Sequence, residues 1–204
     1  MRRIIVGVTG ASGSLYGYTL LRTLRECKDV ETHLVLSSQA KRTIELEMEK
    51  TPADFEALAD VVHDEGDLAA AISSGSFITN GMVVMPCSVK SASAIAHSLN
   101  ANLLTRAADV CLKERRPLVL GIRETPLHLG HLRTLVQLAE IGATILPLVP
   151  AMYSKPKTIG DIVAQTVGKA LDLLGIEHEV AKRWTGPASQ ADARPAQRRS
   201  RGQR

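Results

Sequence analysis

No run in the chain approaches the ~18 consecutive apolar residues that a membrane-spanning helix needs. An export signal is lacking too. The N-terminus, MRRIIVGVTG, starts basic but reaches Gly7, Gly10 and Gly13 almost at once, whereas a signal peptide needs a longer apolar stretch and a cleavage site. The expectation is a cytoplasmic protein with no membrane partner. Cysteine is scarce: Cys27, Cys87 and Cys111 are odd in number and match no zinc spacing, which points to reduced thiols and no metal site. Net positive charge is missing from the body of the chain. Beyond Trp184, five arginines stand against the single Asp192, a net +4 that equals the formal charge of the whole protein. Residues 1–184 are therefore formally neutral, and a basic tail on a neutral body gives no reason to expect a nucleic-acid partner.

What is present suits one globular domain. The 204 residues are 45% hydrophobic and 23% charged, enough for a sizeable core. Arg3–Val8 is a continuous β-branched run of the kind found in strands buried on both faces. Further strands are expected at Glu31–Leu36, at Met82–Met85 where Pro86 should halt the run, at Pro117–Ile122 and at Ala143–Leu148. Helical stretches fall between them: up to about Cys27, then Gln39–Lys50, Ser88–Ser98, Leu103–Arg116, Leu132–Ile141 and Thr158–Leu174. Thr51–Asp67 reads as a helix plus a loop. Alternation of this kind implies an α/β fold with a mainly parallel sheet and helices on both faces. Residues 185–204, rich in Ala, Gln, Arg, Pro and Ser, are expected to be a disordered tail. Ligands of such sheets bind beyond the carboxyl ends of the strands. The segments to inspect are Thr9–Ser14, Ser37–Ser38, Pro86–Ser91, Arg123–Pro126 and Pro150–Lys157.

The first of these, Thr9-Gly10-Ala11-Ser12-Gly13-Ser14, joins a strand to a helix. Its glycines permit close backbone approach, and the helix start offers free N–H groups to an anion; a plain tight turn with Ser12 as helix cap is the alternative. A dinucleotide fingerprint would need glycine where Ser12 stands and a carboxylate where Ser37-Ser38 ends the second strand. A P-loop would need a lysine that is not there. A mononucleotide phosphate or a flavin therefore fits better than NAD or ATP. Pro86-Cys87-Ser88-Val89-Lys90-Ser91 opens a helix with two hydroxyls and one ammonium, again either an anion site or an ordinary cap; nothing in sequence marks a base for Cys87. Arg123-Glu124 follows a strand directly, where the two side chains suit either phosphate and proton handling or a structural ion pair. His128-Leu129-Gly130-His131 has the H-x-G-H spacing of nucleotidyltransferases but stands after the fourth strand rather than the first, so helix packing is the expected role.

Several segments, in order, carry a resemblance: GVTGASGSLYG, HLVLSSQAKRTIELE, ISSGSF, PCSVKS, LLTRAADVCLKERRPLVLGIRETPLHLGHL and ILPLVPAMY. Together they resemble the flavin prenyltransferase (UbiX-type) family over about residues 1–184. The resemblance implies a Rossmann-like flavoprotein fold and a homododecamer with active sites between subunits. It implies a metal-independent transferase that joins the dimethylallyl group of dimethylallyl phosphate to reduced FMN at N5 and C6, making prenylated FMN for a UbiD-type decarboxylase. Carried over by position, Gly10, Ala11, Ser12, Ser37, Ser88, Val89, Lys90, Ser91 and Arg123 resemble the FMN contacts. Arg106, Lys113, Tyr153 and Lys169 resemble the prenyl-phosphate contacts, and Trp184 an aromatic that closes the site. Glu47 resembles an acid near flavin N5, and Glu124 with Ser12 a proton relay to the leaving phosphate. Ser91 replaces a threonine of many relatives and Lys169 an arginine of some. Two other readings accompany it: an FMN-dependent cysteine-peptide decarboxylase of the same fold, and a non-catalytic FMN-binding subunit of an aromatic acid decarboxylase.

Overall fold

In the computed structural model, which describes residues 1–183, the apolar runs form six parallel strands: β1 (Arg2–Val8), β2 (Val30–Leu36), β3 (Val61–His63), β4 (Gly81–Cys87), β5 (Leu118–Ile122) and β6 (Thr144–Pro147). Their order is β3-β2-β1-β4-β5-β6, so the direction of winding reverses between β1 and β4. The carboxyl ends of those two strands are the switch point, where an open α/β sheet leaves a crevice for a ligand.

Side chains alternate across β1. Ile4, Val6 and Val8 enter one core with helices α1 (Ser14–Glu26), α2 (Ser38–Glu47), α3 (Pro52–Glu56) and α7 (Ile159–Leu173). Ile5 enters the other, with α4 (Val89–Ala96), α5 (Leu103–Lys113) and α6 (Leu129–Glu140). All of these β1 side chains are at most 1% exposed, as the uninterrupted β-branched run requires.

Three local expectations are corrected. Pro86 does not halt β4: the strand continues to Cys87, and the ladder to β5 shifts register between Val84 and Cys87, where proline has no N–H to donate. The segment read as helix plus loop contains α3 and then β3, an edge strand of only three residues paired to β2 from His33 to Val35. Helix α6 starts at Leu129 rather than Leu132, because His128 caps it: the His131 N–H donates to His128 Nδ1 at 3.3 Å. The two rings stack 3.5 Å apart, so the H-L-G-H pattern begins a helix. The basic tail of residues 185–204 and Trp184 lie outside the described residues.

Candidate active site

The glycine-rich turn follows β1, and each of its neighbours is close. A Cβ on Gly10 would stand 2.5 Å from Gln39 Cβ in the first turn of α2, so only glycine fits there. Gly13, at φ 108°, caps α1 in the left-handed region, and Ser12 is not the cap. The Ser12 hydroxyl instead bonds to Glu47, whose carboxylate also accepts the N–H groups of Gly13 (2.9 Å) and Ser14 (2.8 Å). Burial alone would raise the Glu47 pKa; the hydrogen bonds from Ser12, Ser14 and Gly13 outweigh it and hold the carboxyl below its usual value. The start of α1 is thus already filled by an anion from the protein, which corrects the expectation of free N–H groups there.

At the start of α2, Ser37 caps the helix by accepting the Ala40 N–H at 3.1 Å, and its own N–H donates to Val8 at 3.0 Å. The next N–H, from Ser38, donates to Glu65 at 2.6 Å. The other Glu65 oxygen accepts from Asn102, the cap of α5, at 2.7 Å. Two helix starts at this rim are therefore neutralised internally. The start of α4 differs. Ser88 caps it through the Ser91 N–H at 3.2 Å, and the two hydroxyls lie 3.2 Å apart. Among the described residues no acceptor meets the N–H groups of Val89 and Lys90.

Thr9 ties the switch point together. It is 1% exposed; its hydroxyl donates to the Pro86 carbonyl at 2.8 Å and accepts the Ser88 N–H at 2.9 Å. Its own N–H also donates to Pro86, at 3.2 Å. Sequence reasoning gave Thr9 and Glu65 no role. Their partners stand dozens of residues away, and local spacing carries no sign of them.

Arg123 is exposed beside this crevice, its N–H donating to the Cys87 carbonyl at 3.2 Å. It does not pair with Glu124, whose carboxylate accepts the Thr125 N–H at 3.1 Å. Cys87 is fully buried and burial pushes its thiol up to about 12, so it is no nucleophile at neutral pH.

The four remaining residues separate into two pairs. Tyr153 and Lys169 line one cavity of about 530 Å³, and Gln165 donates to the Tyr153 hydroxyl at 3.3 Å. Lys169 is on α7, on the first face. Arg106 and Lys113 are both on α5, on the second. Arg106 is held by the Ser73 carbonyl (3.1 Å) and Asp109 (3.0 Å), and Lys113 pairs with Glu114. The sheet lies between these pairs, so one chain does not bring the three cations and the Tyr153 hydroxyl together.

Comparison with known proteins decides the class. The flavoprotein family model matches residues 1–171. The flavin prenyltransferase UbiX of Escherichia coli (strain K12) is 56% identical over 188 residues, covering 91% of this chain and all of that one. The chain belongs to the flavin prenyltransferase family. Two solved family structures superpose closely. The dodecameric FMN-dependent UbiX-like decarboxylase of Escherichia coli O157:H7 is 49% identical, with a TM-score of 0.88 over 90% of this chain and 100% of that one. AnUbiX, solved in complex with FMN and dimethylallyl pyrophosphate, is 48% identical, with a TM-score of 0.89 over 91% and 98%. The expected α/β flavoprotein fold is the fold observed.

Proposed function

We propose that this prenyltransferase binds FMN at the β1–β4 switch point and alkylates it with the dimethylallyl group of a prenyl phosphate. The observation that carries the flavin site is the Thr9 staple: one buried hydroxyl fixes the glycine-rich turn against the cap of α4. The donor set fits FMN. Ser37, Ser88 and Ser91 supply hydroxyls, Val89 and Lys90 open N–H groups, and Arg123 and Lys90 positive charge, a combination suited to a phosphate monoester and sugar hydroxyls. Gly10, Ala11 and Ser12 complete the lining. When bound and reduced, FMN supplies the nucleophilic N5 and C6 that take up the prenyl group, giving prenylated FMN.

The chain's own residues do the rest. Arg106, Lys113, Tyr153 and Lys169 hold the ester and stabilise the charge growing on the departing phosphate, a task that positive side chains perform without a metal. Glu124 manages the proton that the phosphate takes up. Glu47, bonded to Ser12, holds a carboxylate beside the turn. Trp184, outside the described residues, matches by sequence position an aromatic that closes the site in some members of the family. Because Lys169 and the α5 cations lie on opposite faces, the phosphate site is completed by a neighbouring copy in a homo-oligomer, a dodecamer as in the UbiX-like relative. Leu129, Leu132 and Val136 support assembly: they form an exposed apolar stripe at helical spacing on α6. Among the described residues no helix is long and apolar enough to cross a membrane; the enzyme works in the cytoplasm and passes its product to a UbiD-type decarboxylase. The domain spans residues 1–184.

Anaerobic incubation of the protein with reduced FMN and dimethylallyl phosphate should yield a flavin heavier by one prenyl unit by mass spectrometry. An unchanged flavin mass would refute the reading.

A further inference from the structure

After α7 the chain turns back, and residues 176–183 lie along that helix as a strap. Three features hold it there. Ile176 and Val180 pack into the core on the α7 side of the sheet. Gly168 makes a notch in α7: a Cβ there would stand 2.5 Å from Ala181 Cβ and 2.8 Å from His178 Cε1. Asp172, one turn further along α7, receives two of the strap's polar side chains, His178 and Arg183. His178, with a side chain 1% exposed, donates from Nε2 to Oδ1 at 3.2 Å. Arg183 donates to Oδ1 at 2.9 Å and to Oδ2 at 3.3 Å.

The strap also walls the cavity that holds Tyr153 and Lys169, through His178, Ala181, Lys182 and Arg183. Asp172 stands three residues after Lys169 on the same helix, the spacing at which an acid and a base pair. No such pair forms: Asp172 is engaged by His178 and Arg183, and Lys169 makes no ion pair among the described residues. We propose that Gly168, Asp172, His178 and Arg183 are positioning residues for the prenyl-phosphate half-site. They pin the strap as a wall of the pocket, and they occupy Asp172 so that the Lys169 ammonium stays available to an anion. This rests on the reading of Tyr153 and Lys169 as prenyl-phosphate groups.

Two variants release the strap by unrelated means. Gly168→Ala fills the notch without changing charge, and alanine is the better helix former, so α7 itself is not weakened. Arg183→Gln removes an exposed cation and frees Oδ2 of Asp172 toward Lys169, while His178 stays on Oδ1. Hydrogen exchange of residues 176–183 is measured in the full FMN-loaded oligomer, alongside KM for dimethylallyl phosphate, kcat and the FMN dissociation constant. Both variants should speed exchange in the strap and raise KM about threefold to tenfold, with kcat within about twofold and FMN affinity unchanged. Faster exchange with unchanged KM would overturn the proposal, as would unchanged exchange in both variants. Lys169→Met separates the two levels of inference. If it raises KM while the strap variants do not, the clamp alone is wrong. If it leaves KM unchanged, the half-site reading is wrong and the clamp falls with it.

Discussion

The residues proposed for the flavin are tied to one another within a single chain, whereas those proposed for the prenyl phosphate are divided between the two faces of the sheet. Thr9 bonds the turn after β1 to the cap of α4, Glu47 bonds Ser12 to the end of α2, and Ser37 bonds back to Val8. By contrast, Lys169 and Tyr153 belong to the α7 side, while Arg106 and Lys113 belong to α5 across the sheet. The difference follows from topology. Loops at the carboxyl rim of neighbouring strands meet at a switch point, but helices on opposite faces are kept apart by the sheet they cover. On the proposed reading, the chain builds the flavin crevice from its own rim loops, while gathering positive charge for the leaving phosphate takes a second copy.

The strongest test of this contrast is to delete one cation from each face. Lys113→Met and Lys169→Met should each lower kcat/KM for prenyl transfer by about 10²–10³, the usual loss for a group that stabilises transition-state charge, with FMN affinity unchanged. Equal losses in FMN binding would break the division into halves.

A smaller effect is expected on the flavin side. Thr9→Val keeps the shape of a buried side chain but leaves the Ser88 N–H without its acceptor and removes one of the two donors to the Pro86 carbonyl. An FMN affinity weaker by about tenfold follows from the cost of an unsatisfied buried group, and Thr9→Ser should recover most of it. Titration of flavin fluorescence checks both. A rise in KM for the prenyl phosphate with FMN binding intact would contradict the assignment of Thr9 to the flavin half.

The smallest effect concerns acid. Glu47 is held below its usual pKa by Ser12, Ser14 and Gly13 against the opposing effect of burial. A depressed carboxyl contributes stability that is complete above its unfolded value of about 4.3 and is lost as pH falls through its lower folded value. Thermal midpoints measured on acidification should therefore fall less steeply below pH ~4 in Glu47→Gln than in the parent. Parallel curves would show that the carboxylate does not bind the start of α1 in solution.

Most of the fold could be read from the chain because β1, β2, β4 and β5 are buried on both faces and so carry long apolar runs. β3 escaped because three residues, one of them His63, give no period to count, and it is paired along one edge only. Pro86 misled because a proline ordinarily ends a ladder, and the shift of register that accommodates it is a property of β4 and β5 together. At the site, the segments were legible because each follows a strand, but the bonds among them were not. That Glu47 rather than a ligand fills the start of α1 depends on where α2 ends in space. The split of the phosphate residues depends on which face each crossover helix covers.

The central claim is that the two phosphate-side pairs act in one site but come from different copies. The most direct measurement is complementation between Lys113→Met and Lys169→Met subunits, differently tagged, co-expressed and purified as mixed oligomers. Where a Lys169→Met subunit supplies Lys113 and its neighbour supplies Lys169, the site is intact, and random assortment restores roughly a quarter of the sites. Mixed oligomers are thus predicted to regain prenyl transfer that neither parent variant has. Mixed oligomers as inactive as the parents would show that both lysines act from the same chain, and the account would be wrong.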